Sequence, residues 1–192
     1  MATKPGERKL QILQALAEML QEPKSEKITT AALAARLDVS EAALYRHFAS
    51  KAQMFEGLIE FIESSLFSVI NQISAEHQSG VKQVEQIMVL LLGFAQKNRG
   101  LTRVLIGDAL VNEDERLQAR INQLLDRVEA SLKQSLRIAA SNKEVQPGSD
   151  AGVVANLLLC YVIGRWQQFA KSGFTRSPMV QWAAHWPLLI PA

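Results

Sequence analysis

Residues 29–51, Thr29-Thr-Ala-Ala-Leu-Ala-Ala-Arg-Leu-Asp-Val-Ser-Glu-Ala-Ala-Leu-Tyr-Arg-His-Phe-Ala-Ser-Lys51, hold two short helical stretches separated by one tight turn. Thr30 offers a hydroxyl cap for a helix over Ala31–Leu37, and Ser40 caps a second over Glu41–Phe48, since a hydroxyl oxygen accepts the backbone N–H groups that a first helical turn leaves unpaired. Ala34, Leu37, Val39, Leu44 and Phe48 close a small core against a preceding helix, while Ser40, Glu41, Ala42, Ala43, Tyr45, Arg46 and His47 project from the second helix or its start. This spacing is that of a helix-turn-helix, whose second helix presents its N-terminal residues to a DNA major groove. On spacing alone, a plain structural helical hairpin remains open.

Outward from that segment, every element reads as helix. On the N-terminal side, Leu10, Leu13, Leu16, Ala17 and Leu20 recur at three- and four-residue steps and form the inward face of a helix from Gly6 to Gln21, broken by Pro23–Lys27. On the C-terminal side, Ser50 caps a helix of about seven turns to the His77–Gly80 break, with a stripe from Phe55 through Leu58, Ile62 and Leu66 to Ile73. An apolar helix through Val84, Ile87, Leu91 and Ala95 stops near Asn98-Arg99-Gly100, and a shorter one covers Leu101–Leu110 with Gly107 inside it. The acidic run Asn112–Glu115 suits the positive end of the next helix, Glu115–Ala140. A loop over Asn142–Ser149, a helix capped by Asp150 and running to Ser172, and a last helix from Ser177-Pro178 complete the chain. A buried strand over Val153–Ile163 is the minor alternative. The expected fold is therefore all-α, with a helix-turn-helix three-helix domain over residues 1–51 and a helical dimerisation and partner-binding domain over residues 52–192. In a dimer, the stripes Leu117–Leu136 and Val153–Phe169 are expected to form a four-helix bundle, with Gly164 permitting close approach.

Composition agrees. The chain has 192 residues, 48% apolar and 21% charged, which suits folded domains and excludes a disordered tail. Its few aromatics, 7 Phe, 3 Trp and 2 Tyr, argue against sheets. The net charge of +2 lies in the first 51 residues, with 8 Lys and Arg against 6 Asp and Glu. No apolar targeting segment opens the chain and no apolar run spans a bilayer, so a cytoplasmic protein with no membrane partner is expected. The single cysteine, Cys160, sits within Leu-Leu-Leu-Cys-Tyr-Val-Ile and reads as a small core residue.

The helix-turn-helix segment resembles the TetR family of bacterial DNA-binding regulators, through its Ala-Leu-Ala, Val-Ser, Leu-Tyr-Arg-His-Phe and Ser-Lys steps. Asp38 stands where that family usually has Gly, at a turn suited to a left-handed backbone that Asp tolerates. Further segments, among them Leu58-Ile-Glu-Phe-Ile-Glu63, Val89-Leu-Leu-Leu-Gly-Phe94 and Arg120-Ile-Asn-Gln-Leu, are similar to one branch of the family. The resemblance to that branch implies a dimeric protein that binds DNA, binds the tubulin-like division protein FtsZ, and prevents division septa from forming over the chromosome. A ligand-responsive transcriptional repressor with an apolar pocket is the alternative.

Contacts to a palindromic double-stranded site are expected from Thr29, Thr30, Ser40, Glu41, Ala42, Ala43, Tyr45, Arg46, His47 and Lys51. Thr30, Ser40, Tyr45 and Lys51 lie at or beside helix starts, where hydroxyls, N–H groups and the helix dipole suit phosphate. Ala42 and Ala43 are small enough to admit base edges, and Arg46 and His47 are available for phosphate or guanine. Tyr45 is equally suited to half-buried packing, and a surface imidazole without a partner is open for His47. For the protein partner, Leu90, Gly93, Phe94 and Lys97 share a helix face, with Asn98 and Arg99 at its end and Phe61 off the stripe of its own helix. They are expected to form an apolar groove with a basic end, fitted to a peptide with aliphatic and acidic residues, which the resemblance makes the C-terminal tail of FtsZ. Plain core packing of Leu90, Phe94 and Phe61 is the competing interpretation.

Enzymatic chemistry is not expected. The histidines His47, His77 and His185 fall in separate elements with no metal-ligand spacing, so neither metal nor cofactor is called for. Glu56, Glu60 and Glu63 read as a solvated face, and Trp166, Trp182 and Trp186 as packing anchors.

Overall fold

The structure is a computed structural model that describes residues 5–22, 28–148 and 150–190. Met1–Lys4, the expected break at Pro23–Lys27 and the last loop residue Ser149 lie outside the described residues. In chain order the helices are α1 Pro5–Met19, α2 Thr30–Arg36, α3 Glu41–Tyr45, α4 Lys51–Glu76, α5 Gly80–Lys97, α6 Arg99–Leu105, α7 Glu115–Ser141, α8 Ala151–Lys171 and α9 Trp182–Leu189, with a 3-10 turn at Asp108–Leu110. No strand occurs among the described residues, so 153–163 is helix.

The chain divides into two compact units, residues 1–62 with 99–121 and residues 63–98 with 122–192. In the first unit α1 buries Ile12, Leu16 and Leu20, while Leu10 is 59% exposed. Of the expected face Leu10, Leu13, Leu16, Ala17 and Leu20, Leu16 and Leu20 are buried and Leu13 and Ala17 half-buried, while Leu10 stands outside and Ile12 is buried in addition. A β-carbon on Gly100 would lie 2.0 Å from the carbonyl oxygen of Ala17, so only glycine admits this approach. Arg103 donates to the carbonyl of Leu20 at 3.4 Å and pairs with Asp108. The expected helix over 101–110 ends at Leu105 instead. Gly107 adopts φ 77°, outside right-handed helix, and a 3-10 turn follows.

In the second unit the α7 stripe Leu124, Val128, Leu132 and Leu136 is fully or almost fully buried, as are Leu158, Val162 and Trp166 of α8. The Trp166 indole N–H donates to the Leu91 carbonyl at 3.0 Å, so this packing anchor also satisfies its polar atom. Gly80 lets the start of α5 touch the α7 main chain, where a β-carbon would lie 2.2 Å from the Ala139 nitrogen. Glu144 then accepts from the Val81 N–H at 2.9 Å and from the Ser79 hydroxyl at 3.1 Å.

Three expectations are corrected here. The α7 stripe is consumed inside the protomer, so a dimer cannot bury it; apolar groups left outside include Val153 and Leu157 on the other side of α8, 69% and 54% exposed. Cys160 lies on that outer side and is exposed rather than a core residue. Gly164 is there too, with open space where a β-carbon would stand. The last helix begins at Trp182, not at Ser177. The buried Arg165 guanidinium takes the carbonyls of Ser177, Pro178 and Val180, and Gln181 turns left-handed at φ 61°, which breaks right-handed helix before α9.

Burial pushes the Glu144 carboxyl up, but hydrogen bonds from Val81, Asn142, Ser79 and Gly80 outweigh this and hold it below the ordinary 4.5. A depressed carboxylate stabilises the fold above its unfolded value, and that stability is lost as pH falls through the folded one. Urea unfolding from neutral pH down to about pH 3 is therefore expected to show the native chain losing stability below about 4.5 more steeply than Glu144→Gln.

Candidate nucleic-acid interface

The helix-turn-helix is built from very short helices, so its caps and turn matter. Thr29, not Thr30, is the N-cap of α2; its hydroxyl accepts from the Ala32 N–H at 3.1 Å. Thr30 is the first helical residue, which frees its own hydroxyl for another use. Ser40 caps α3 as expected, accepting from the Ala43 N–H at 3.3 Å. Between them Asp38 takes φ 52°, the left-handed conformation anticipated for this turn.

Inside, Leu33, Ala34, Leu44 and Phe48 are buried, whereas Leu37 and Val39 are only half-buried. α3 ends at Tyr45, earlier than the expected Phe48. Outside stand Thr29, Ser40, Glu41, Ala42, Tyr45 and Arg46, all exposed, with Thr30, Ala43 and His47 half-buried. Tyr45 is 45% exposed, its ring partly packed and its hydroxyl 3.5 Å from the Thr30 hydroxyl, to which it donates. Thr30 in turn donates to the Glu41 carboxylate at 2.5 Å, joining the start of α2 to the start of α3. Small Ala42 and Ala43, with exposed polar groups on either side, leave one face of α3 open to a large partner.

Lys51 is engaged differently from the rest. Its ammonium lies 2.5 Å from Glu113, a residue that sequence reasoning assigned only to the positive end of α7. The one signal was the acidic run itself, whose members divide: Asp114 pairs with Arg116 at 2.9 Å, and Glu113 reaches Lys51. The Asp114–Arg116 hydrogen bonds hold the Asp114 carboxyl below its ordinary range.

The residues expected at a protein partner fall in both units. Phe61, in the first, is 46% exposed on α4. On α5 in the second, Leu90, Gly93 and Phe94 are half-buried, and Lys97 is exposed at the helix end. A β-carbon at Gly93 would meet nothing within 4 Å, so the surface is open there. Asn98 caps α5, its side-chain amide donating to the Phe94 carbonyl at 2.8 Å, and Arg99 is exposed at the start of α6. Among the described residues no group of three or more His, Cys, Asp or Glu could hold a metal ion.

Comparison with known proteins follows this division of the sequence. Residues 12–58 match the profile of bacterial regulatory proteins of the tetR family, and residues 78–191 that of the tetracyclin repressor-like C-terminal domain. The chain belongs to the TetR family. Within it, the chain is 50% identical over 185 residues to the nucleoid occlusion factor SlmA of Alteromonas mediterranea, covering 96% of this chain and 95% of that protein. It is 49% identical to SlmA of Vibrio cholerae, covering 95% and 93% respectively. Solved structures share the fold alone: the MbdR regulator of Azoarcus superposes with a TM-score of 0.81 at 13% identity, covering 98% of both chains. The fatty acid degradation regulator FadR of Bacillus halodurans gives 0.80 at 13%, covering 99% of this chain and 97% of its own. The TetR-family member described here thus stands close to SlmA.

The left-handed Asp38 gives a direct check on this geometry. Asp38→Gly is expected to leave thermal stability nearly unchanged, since glycine adopts this backbone freely. Asp38→Val, β-branched at positive φ, is expected to cost roughly 1–2 kcal/mol, measured by urea denaturation.

Proposed function

We propose that this protein is a nucleoid occlusion factor that, as a DNA-bound dimer, binds FtsZ and blocks septum assembly over the chromosome. The observation that carries the proposal is the similarity to SlmA proteins at about half identity through both the helix-turn-helix and the C-terminal segment. Under it the protein works in the cytoplasm, on the nucleoid. Two copies pair through the outer face of α8, around Val153, Leu157 and Gly164, where exposed apolar and small side chains follow helical spacing. Two-fold symmetry then sets the recognition helices one duplex turn apart, on the order of 34–36 Å, on a palindromic site.

At each half-site Thr29, Thr30, Ser40, Tyr45 and Lys51 are assigned to phosphate, Ala42 and Ala43 to base edges and thymine methyls, and Glu41, Arg46 and His47 to the groove around them. For FtsZ, the α5 face of Leu90, Gly93, Phe94, Lys97 and Asn98 in one unit, and Phe61 and Arg99 in the other, are each assigned to the C-terminal tail. Aromatic exposure at Phe61 and a cation at Lys97 suit a peptide of aliphatic and acidic residues. A ligand-responsive repressor needs a cavity of roughly 300–1,000 Å³. The pocket lined by Leu136, Val154, Leu189 and Ile190, with a volume of about 50 Å³, is itself too small for such a ligand.

The two activities are expected to separate by mutation. Phe61→Ala and Lys97→Glu should each keep DNA affinity and lose at least about tenfold, ~1.4 kcal/mol, in binding an FtsZ tail peptide. Tyr45→Ala should do the reverse, weakening binding to all duplexes while leaving the peptide bound. Fluorescence anisotropy with each ligand measures both; peptide binding that persists in both groove variants removes this face as the FtsZ site.

A further inference from the structure

Lys51 opens α4, separated by residues 46–50 from the end of α3, with Ser50 capping the helix start by accepting from the Gln53 N–H at 3.2 Å. A cation here adjoins the DNA-reading helix. Yet its ammonium is already taken by Glu113 at 2.5 Å and also lies 5.6 Å from the centre of the buried Phe55 ring. The pair is shielded: its side chains are 19% and 11% exposed, against 48% and 58% for Arg36–Glu22 and 72% and 36% for Arg116–Asp114. Solvent and salt weaken such a shielded pair much less than an exposed one.

The carboxylate is also held in place by its own segment. Leu110 is buried, Asn112 turns left-handed at φ 65°, and the Glu113 N–H donates to the Leu110 carbonyl at 3.0 Å. Glu113 therefore reaches Lys51 from a fixed turn. A carboxylate oxygen and a phosphate oxygen are both anionic acceptors for the same N–H donors. A phosphate approaching Lys51 meets one of two penalties. Either it shares the ammonium with Glu113 and suffers like-charge repulsion, or it displaces Glu113 and leaves that shielded carboxylate unpaired.

We infer that Glu113 is an affinity-setting residue, whose carboxylate competes with a DNA phosphate for the Lys51 ammonium and so weakens binding to every sequence alike. The inference rests on the proposed DNA binding. It makes Lys51 a phosphate contact that Glu113 weakens in the native chain and that strengthens when Glu113 loses its charge.

The test is a salt titration of binding by fluorescence anisotropy, using a duplex selected from a random pool and a non-specific duplex of equal length. Native chain, Glu113→Gln, Lys51→Ala and the double variant are compared. Glu113→Gln is expected to bind both duplexes about tenfold tighter, with a salt slope steeper by about 0.9 per protomer for the phosphate gained. Lys51→Ala should weaken binding to both duplexes, and in that background Glu113→Gln should gain much less than tenfold, because the ammonium it would free is gone. If Glu113→Gln fails to unfold cooperatively on heating, Glu113→Asp, which withdraws the carboxylate by one methylene, replaces it and should shift affinity in the same direction. Native binding with Glu113→Gln unchanged or weaker, or a tenfold gain that persists undiminished in the Lys51→Ala background, overturns the inference and leaves DNA binding standing. A native chain that binds neither duplex overturns both.

Discussion

The approach of Gly100 to the main chain of Ala17 is the contact on which the DNA-reading part of this protein depends. α2 and α3 are seven and five residues long and bury only Leu33, Ala34 and Leu44 between them. Helices this short do not persist in water without tertiary support. That support comes from α1 and the start of α4, and α1 is itself held from α6, by the backbone contact at Gly100 and by Arg103 on the Leu20 carbonyl. A second tie from the same distant segment, Glu113 to Lys51, reaches the first residue of α4. Residues 99–121 therefore complete a unit whose recognisable motif lies within residues 29–51.

The second unit follows a different constraint. α7 carries one apolar stripe and spends it inside the protomer. α8 is apolar on two sides, with Leu158, Val162 and Trp166 inside and Val153 and Leu157 outside. A helix that is apolar all round has burial partners on more than one side. Inside, the bond from Trp166 to the Leu91 carbonyl fixes α8 against α5. Outside, small Gly164 and exposed Cys160 give a surface suited to another helix at close range, which is the basis for assigning α8 to the dimer.

Helix order and type were legible in the sequence because three- and four-residue periodicity is a local property, and the caps at Ser40, Ser50 and Asp150 are local as well. Which side of a helix faces in was legible only where one stripe stood alone. In α1, Leu16 and Leu20 of the expected face are buried, but Leu10 is exposed and Ile12 buried, a choice between neighbouring apolar residues that periodicity does not make. In α8, the apolar run around Cys160 concealed an exposed side, since a uniformly apolar stretch carries no phase. Thr29 and Thr30 were interchangeable as caps by type; the backbone decided between them. The left-handed turn at Asp38 was readable because few residues tolerate it. The Lys51–Glu113 pair was not, as the two residues are 62 positions apart and each had a sufficient local role.

Occlusion requires that DNA binding and action on the division machinery belong to one molecule, and sedimentation of FtsZ polymers measures that link. FtsZ is assembled with the protein alone, with its selected duplex alone, and with both, and the pelleted polymer is quantified. Lower polymer yield with protein and duplex together, beyond the effect of either alone, is the predicted result. Polymer yield unchanged by the DNA-bound protein, at concentrations where anisotropy shows the duplex fully occupied, would contradict it.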